Sequence, residues 1–419
     1  MKIKLKRKLI IGLTILLIFL LSCNRKTKNI LQTASGKSYE QIMELHQPIR
    51  NNYFAFNILR AIPVYDNNLV ISPFSISTAM AMTYAGAAGK TKKEIAQTLF
   101  FDTNKESFHS EYSLYITRLR EMAGDHVQLN IANNIWAQKD YQFLQEYFDL
   151  IELNYGTRLN QADFYRGDRE QIRLDINQWV HQETREKISN LIAAGVLTED
   201  TRLVLVNAIH FFGPWMTEFD KDLSRKDYFT NINGERKLTE FMFKVDSMPY
   251  FENEKMSVLE LTYSGEDFSM LVFLPKLVYS LPELEKYFGA NEFLNVLSEL
   301  KYKEVEAIIP KFNTETQLNI EDLLAKIGMP LAFSNKADFS GMTGQMDLKI
   351  DKIIHKAMIN VAEEGTEAAA ATAVVIVMKT TIEPETTPRV SFKADRPFLY
   401  VIKDNRFNSI LFIGRQVII

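Results

Sequence analysis

The chain has 419 residues, 46% hydrophobic and 24% charged, with a net charge of −3. That composition is ordinary for a folded protein, the length allows two or three domains, and the slight acidity argues against nucleic acid as a partner. Cys23 is the single cysteine, which excludes an intramolecular disulfide and leaves stability to packing.

Lys2, Lys4, Lys6, Arg7 and Lys8 form a basic region, and Leu9 to Leu21 an apolar run. Together they read as a secretory signal, too short to span a bilayer comfortably. The following Leu20-Leu21-Ser22-Cys23 resembles a bacterial lipoprotein cleavage box. That resemblance implies a signal peptide over 1–22, lipid on the sulfur of Cys23, and a lipidated tether over 23–40. An ordinary signal peptide with an incidental cysteine is the alternative. The expected location is outside the cytoplasm, lipid-anchored to a bacterial membrane. Asn24, rather than aspartate, leans toward the outer membrane or cell surface.

Residues 42–64 suit a helix, with Phe54, Phe56, Ile58 and Leu59 near one face. Leu69-Val70-Ile71 reads as a short strand. Ser72 is a helix cap and Pro73 a first-turn residue, opening a buried helix that ends near Gly86 to Gly89. AGAAGKT is not a phosphate loop, because Tyr84 stands where that motif needs glycine and a helix precedes it. A strand and turn over 128–140 and an amphipathic helix over 141–155 follow. A second amphipathic helix covers 174–192, with Ile176, Trp179, Val180 and Ile188 inward. Residues 202–212 are a near-continuous apolar strand, expected to be buried on both faces.

The second half is richer in strands. TEFMFKV, MPYFEN, MSVLELTY and FSMLVFLP read as four successive strands within 239–275. A helix over 281–299, a strand over 304–312, a short helix over 318–328 closed by Gly328, and a strand-rich terminus over 389–419 complete the chain. There is no internal repeat and no break in composition, so one large α+β domain over 41–419 is favoured.

Glu363 to Thr380 stands apart. Small residues dominate its first half, while Val374, Val375, Ile376 and Val377 form a β-branched run capped by Met378 and Lys379. In an extended chain Thr366, Ala368, Ala370, Thr372, Val374 and Ile376 share one uncharged face. Such a segment is able to slip between packed strands. The ordinary alternative is a buried helix or core strand. Against it, Pro384 and Pro388 with polar residues between them read as an exposed loop. An unbroken strand from Gly365 to Lys379 would also be about 45–50 Å long at ~3.3 Å per residue.

Four stretches, in order, resemble the serpins. SPFSISTAMAMTYAGAAGKTKKEI is similar to the family's second-helix signature, and VLVNAIHFFGPWMTEFD to its central strand and turn. EEGTEAAAAT is similar to the hinge of the reactive-centre loop, and FKADRPFLYVIKDNRFNSILFIGRQV to the C-terminal signature. The resemblance implies an α+β fold with three β-sheets, eight or nine helices and an exposed reactive-centre loop at about 363–388. It implies a suicide-type inhibitor rather than an enzyme, monomeric and without cofactor. A serine protease, or in some cases a cysteine protease, would cleave the loop as an acyl-enzyme and be trapped as the loop inserts into the main sheet.

By the same resemblance the hinge comprises Glu363, Glu364, Gly365, Thr366, Glu367, Ala368, Ala369, Ala370, Ala371 and Thr372. The residue that enters the protease's primary pocket lies fourteen positions after the hinge glycine, which gives Lys379 and the bond Lys379–Thr380. Lysine there suits trypsin-like enzymes; a merely solvated loop charge is the alternative. Val374 to Met378 suit elastase-like or subtilisin-like enzymes at neighbouring bonds, so more than one usable bond is expected.

Ser72, Ser75, Asn207 and His355 are implied to form a cluster beneath the main sheet, with Trp215 at its top and Lys311 paired to Glu363. His355 as a base for Ser72 is disfavoured, since G-x-S-x-G is absent. His210 stands where many members carry an aromatic. His46, His109, His126, His181, His210 and His355 show no metal-ligand spacing. Arg118, Arg120, Arg166, Arg169 and Arg173 are scattered among acids, so a heparin-type site stays open. The rival reading is a non-inhibitory serpin acting as a binding protein or protease substrate, which would need a hinge unable to insert.

Overall fold

The computed structural model describes residues 39–64, 67–103, 107–124, 126–157, 159–366 and 389–419. Its helical half opens with α1 (Tyr39–Met43), α2 (Gln47–Ala61), the strand β1 (Leu69–Ile71) and α3 (Pro73–Gly86). The Ser72 hydroxyl accepts the Ser75 N–H at 3.1 Å, and Pro73 takes the first turn, where no N–H is needed. α3 has no polar face to give to water, so it is buried nearly all round. At Gly86–Gly89 one helix gives way to another, α4 (Gly89–Leu99), with Gly89 at φ +51°.

α5 (Phe108–Ala123), β2 (Gln128–Gln138), α6 (Gln145–Tyr155), β3 (Asn160–Ala162) and α7 (Arg169–Glu183) follow. The helix expected over 174–192 is therefore displaced. It starts earlier, where Asp168 caps it, and it stops at Glu183. Arg185, Glu186 and Asn190 take left-handed backbone (φ 51°, 65° and 53°), through which a helix cannot run. Ile188 is buried as expected, but from a loop, and Trp179 is only half-buried. The Asn177 amide holds that loop by bonding both the N–H and the carbonyl of Ile192, at 2.7 and 2.9 Å.

β4 (Leu203–Pro214) is buried on both faces over most of its length, as its apolar run demands. β5 (Arg225–Thr230) and β6 (Arg236–Glu252) come next. The two strands expected at TEFMFKV and MPYFEN are one 17-residue strand. β9 (Lys301–Pro310) keeps it continuous by pairing with it from Phe241 to Tyr250. β7 (Met256–Thr262) and β8 (Phe268–Pro275) match expectation. The helix expected over 281–299 is broken into α8 (Leu281–Tyr287) and α9 (Ala290–Glu299), because Glu292 accepts the Gly289 N–H at 2.9 Å and begins a new helix.

β10 (Phe312–Asn319) was not expected, because it is mostly polar. Only its alternation of buried Phe312, Thr314 and Thr316 with exposed Asn313, Glu315 and Gln317 marks it as a strand. α10 (Glu321–Ile327), closed by Gly328, and α11 (Ser340–Thr343) lead to β11 (Lys352–Val361) and β12 (Gly365–Thr366). β13 (Val390–Lys393), β14 (Phe398–Asp404) and β15 (Ile410–Gln416) end the chain. Nine of the described helices have seven residues or more; α1 and α11 are shorter.

Two hydrogen-bonded networks result. One has the order β10-β11-β12-β4-β2-β3, the other β1-β15-β14-β8-β7-β6-β9-β13 with β5 attached to β6. Two of the three sheets that the serpin resemblance implies are joined, since β6 pairs first with β5 and β9 and then runs on into pairing with β7. α3 packs on both β4 and β15, within the main core. A second apolar cluster lies outside the six-stranded sheet, where Ile176 and Val180 of α7 and Ile188, Leu191 and Ile192 cover Val204, Val206, Ala208 and Ile354.

Candidate functional site

β4 and β11 are far apart in sequence yet lie side by side, parallel, from Lys352↔Val204 to Met358↔His210. Beyond His210 they part, and β12 sits between them, antiparallel to both. Gly365 and Thr366 pair with Pro214 and Gly213 of β4, and Thr366 also with Val361 of β11. The chain leaving β11 has thus turned back at Ala362–Glu364, closed by Ala362 N–H to Gly365 O at 2.9 Å, and started down the slot. A Cβ at Gly365 would lie 2.2 Å from the Gly213 oxygen and 2.6 Å from the Pro214 Cα, so only glycine fits. Thr366 is fully buried, its hydroxyl 2.6 Å from the Tyr263 hydroxyl.

The turn is held from the side. Trp215 donates its indole N–H to Ala362 O at 2.9 Å and its backbone N–H to Glu364 O at 2.8 Å, and Phe219 N–H reaches Glu363 O at 2.9 Å. Trp215 stacks on Tyr263, with centroids 4.6 Å apart. Glu363 accepts from Lys311 at 2.8 Å and from the Ser224 hydroxyl at 2.6 Å; Lys311 also meets Glu240 at 3.0 Å, and Lys221 pairs with Glu364. Burial alone would raise the Glu363 carboxyl, but these hydrogen bonds hold it below the usual range. The same groups line a polar cleft of about 490 Å³.

Midway along the slot a second network crosses three strands. His355 and Asn207 are partners across β11 and β4, and Asn133 and Asn207 across β2 and β4. The Ser72 backbone N–H donates to His355 Nε2 at 3.1 Å, so the ring proton sits on Nδ1, which bonds Asn207 Oδ1. The Asn207 amide donates to Ser75 Oγ at 2.7 Å and to Asn133 Oδ1. Ser75 Oγ lies 3.2 Å from Asn133 Oδ1. Burial pushes His355 down to about 3. Ser72 Oγ donates to Leu411 O at 2.7 Å, so His355 receives the N–H of Ser72 and not its O–H. This is a structural tie and not a nucleophile–base pair.

Asn133, Ser224, Lys221, Glu240 and Tyr263 belong to these networks and were not anticipated. The Asn133-Asn134 pair, set between apolar Ile131-Ala132 and Ile135-Trp136, was the available signal for the first. His210 is buried, with Nδ1 3.3 Å from Asn130 Nδ2. Glu367 to Thr372 of the hinge, Val374 to Met378, Lys379, Thr380 and Cys23 lie outside the described residues. Among the described residues no group of three or more His, Cys, Asp or Glu is placed to hold a metal ion.

The chain belongs to the serpins: the family model for serpins (serine protease inhibitors) matches residues 49–418. A serpin-like protein of Methanosarcina mazei is 36% identical over 370 residues, covering 87% of this chain and 85% of its own. The leukocyte elastase inhibitor of Sus scrofa is 36% identical over 376 residues, covering 87% and 97%. Among solved structures, the thermophilic serpin tengpin in its native state matches with a TM-score of 0.80 at 28% identity, over 88% of this chain and 94% of that one. Human thyroxine-binding globulin in complex with thyroxine gives 0.78 at 27% identity, over 89% and 98%. The relatives thus include an elastase inhibitor and a thyroxine-binding protein, so the choice between inhibition and binding rests on this chain's own hinge.

Proposed function

We propose that this protein is a suicide-type inhibitor of serine proteases, trapping its target by inserting the cleaved loop into the six-stranded sheet. The observation that carries the reading is the position of Gly365 and Thr366, already paired at the open end of the slot and antiparallel to both walls. Each further residue that followed them would part β4 from β11 by one step. One parallel ladder would be replaced by two antiparallel ones, which are slightly the more stable kind. Ala368, Ala370 and Thr372, on the face shared with Thr366, are small enough to pass. About 15 inserted residues, at roughly 1 kcal/mol net per ladder bond, would release on the order of 10 kcal/mol or more.

The target's serine attacks the carbonyl of Lys379, the bond to Thr380 breaks, and Thr380 leaves as a new amino terminus. Lys379 stays joined to the protease as an ester. Full insertion carries that ester the length of β4, about 40 Å for its 12 residues at ~3.3 Å each. The protease is deformed on the way, and hydrolysis of the ester fails. Lysine suits trypsin-like enzymes. Val374 to Met378 extend the range to elastase-like and subtilisin-like enzymes, and a cysteine protease would be held as a thioester. In this reading the domain spans 41–419 and acts as a monomer. It is tethered through lipid on Cys23 to the outer membrane or surface of a bacterium, an assignment supported by the basic region, the apolar run and Ser22-Cys23.

The test is a denaturing gel of residues 24–419 mixed with trypsin, where a band near the summed mass that survives boiling is expected. Cleavage without adduct by trypsin, elastase and subtilisin alike, and without a gain in heat stability, would instead point to a binding protein that proteases merely cut.

A further inference from the structure

We propose that the turn at Leu277-Val278, with the lysines around it, is a second membrane contact that lies against an anionic phospholipid bilayer. This rests on the lipid-anchored reading above and adds to it the face of the domain that meets the membrane.

β8 ends at Pro275, and Tyr279 N–H donates to Lys276 O at 2.8 Å, which makes Leu277 and Val278 the two central residues of a tight turn. Proline, glycine, asparagine and aspartate are what such positions ordinarily carry. Here they hold aliphatic side chains, 86% and 81% exposed, and Leu277 is the most exposed large hydrophobic among the described residues. Packing does not account for them, since Leu281 and Leu284 close the core behind them. The turn is fastened at both ends. Lys276 N–H donates to Lys255 O at 2.8 Å, and Glu283 accepts the Ser280 N–H and hydroxyl, both at 2.7 Å, at the start of α8. A local rule broken on a well-held turn is the mark of a functional site. A convex tip of this kind enters a bilayer without needing a matching hollow.

Cations surround it. Lys255, on the β6–β7 hairpin, lies over the Tyr287 ring at 4.3 Å, and Lys286 is exposed on α8. Lys276 pairs with Glu252, which also accepts from the Tyr250 hydroxyl at 2.8 Å. Lys303 lies over that Tyr250 ring at 5.0 Å, and Lys301 shares its face of β9. Lys255, Lys286, Lys301 and Lys303 have no carboxylate within ion-pair distance among the described residues. Glu252 and Glu283 are already engaged, so these four lysines outnumber the unpaired Glu254 and Glu299. Aliphatic side chains set among the headgroups, with lysines at the phosphates, are what holds a peripheral surface to an anionic bilayer.

The tether makes so small a contact sufficient. Tyr39 follows Cys23 by sixteen positions, no more than about 55 Å of chain. α2 is about 22 Å long, and Arg60 near its end donates to Phe288 O at 3.2 Å. Phe288 closes α8, about 10 Å long, and the turn lies at the other end of α8. The tether is longer than α2 and α8 laid end to end, so the turn reaches the bilayer that holds Cys23. A contact linked in this way is occupied even at millimolar strength.

The test sediments residues 24–419 with vesicles of phosphatidylglycerol and phosphatidylcholine at millimolar lipid. Leu277→Asn with Val278→Gly, residues that a turn accepts, should lower the bound fraction at least fivefold and leave the melting temperature unchanged. Lys301→Glu with Lys303→Glu should lower it at least twofold at low salt, the difference closing as salt rises. Vesicles of phosphatidylcholine alone should bind less of the parent chain. Leu153→Asn, an equally exposed apolar side chain on α6, should bind as the parent does.

Equal binding of the parent and the turn variant would overturn the proposal, as would no binding of the parent to the phosphatidylglycerol vesicles. A loss that Leu153→Asn reproduces, or one that tracks a lower melting temperature, would overturn it too. Turn-dependent dimers in place of vesicle binding would assign the surface to a second copy of the chain. Failure of the anchor reading shows separately, as no uptake of labelled palmitate by the full chain made in a bacterium.

Discussion

His355 ties β11 to β4 only while it is neutral, because its Nε2 receives the Ser72 N–H and a proton there would face another donor. Burial holds it down to about 3, and burial together with Lys92 holds His109 down to about 4. Unfolded, both titrate near 6.5. Both folded-state values are depressed, so the stability they contribute is complete above pH 6.5 and is lost as pH falls toward those values. Asp404 works the other way. Burial pushes its carboxyl up to about 6, so the folded state takes that proton first and regains stability between pH 6 and pH 4. Two falling contributions against one rising leave these three groups with a net loss of stability over that window. The urea midpoint of the native state is expected to fall from pH 7 to pH 4, and Asp404→Asn should steepen the fall. A midpoint flat over that range would contradict the assignment of a neutral His355.

At the scale of elements, the inhibitor reading makes the loop after α7 what an inserted strand would have to displace. Lys356 of β11 donates to Ser189 O at 3.1 Å, and Gln317 of β10 to Leu191 O at 2.9 Å, pinning that loop over the slot. The Lys356 ammonium is nearly buried, whereas its partner Glu315, 2.8 Å away, is half exposed and loses little when left alone. Replacing such a desolvated charge by an apolar chain of like length is commonly neutral or stabilising. Lys356→Met should therefore hold or raise native-state stability, by about 1 kcal/mol. It should slow insertion, because less is gained by opening the sheet. With trypsin the fraction trapped as adduct is expected to drop and the fraction released as cleaved chain to rise. A lower melting temperature with more adduct would show that the pin opposes insertion instead.

For the whole molecule, the inhibitor reading makes the slot between β4 and β11 the energy store. In the inhibitor reading, cutting the loop lets the sheet gain a strand between β4 and β11, and the melting temperature should rise by tens of degrees. Thr366 tests this without touching the scissile bond. It is fully buried between Gly213 and Val361, with its hydroxyl on Tyr263, and has no room for a long cation. Thr366→Arg should still be cut by trypsin in the loop. It should give little or no adduct and should melt after cleavage near the temperature of the uncut chain. Wild-type adduct from that variant would sink the insertion mechanism.

The sequence alone determined the features that local chemistry decides. Ser72-Pro73 opens α3, the apolar run of 203–212 becomes a doubly buried strand, and Gly365 with the small residues after it reads from side-chain size as a segment able to slip between packed strands, its role as a hinge being what the serpin resemblance implies. The reading of Lys379 and of Cys23 rests on sequence throughout. Where local and distant forces compete, the tertiary structure decided. The helix foreseen to 192 ends at Glu183, because Asn177 captures Ile192 and folds the following loop onto the sheet. Two foreseen strands fuse into β6, because β9, fifty residues on, pairs across both. β10 was invisible because its polar alternation gains meaning only beside β11. Asn133 joins His355 and Asn207 only once three strands are aligned, the last two contributing side chains 148 positions apart. Caps and turns act within a few residues, whereas a parallel neighbour is selected by burial over the whole chain, and so the slot itself existed only in the fold.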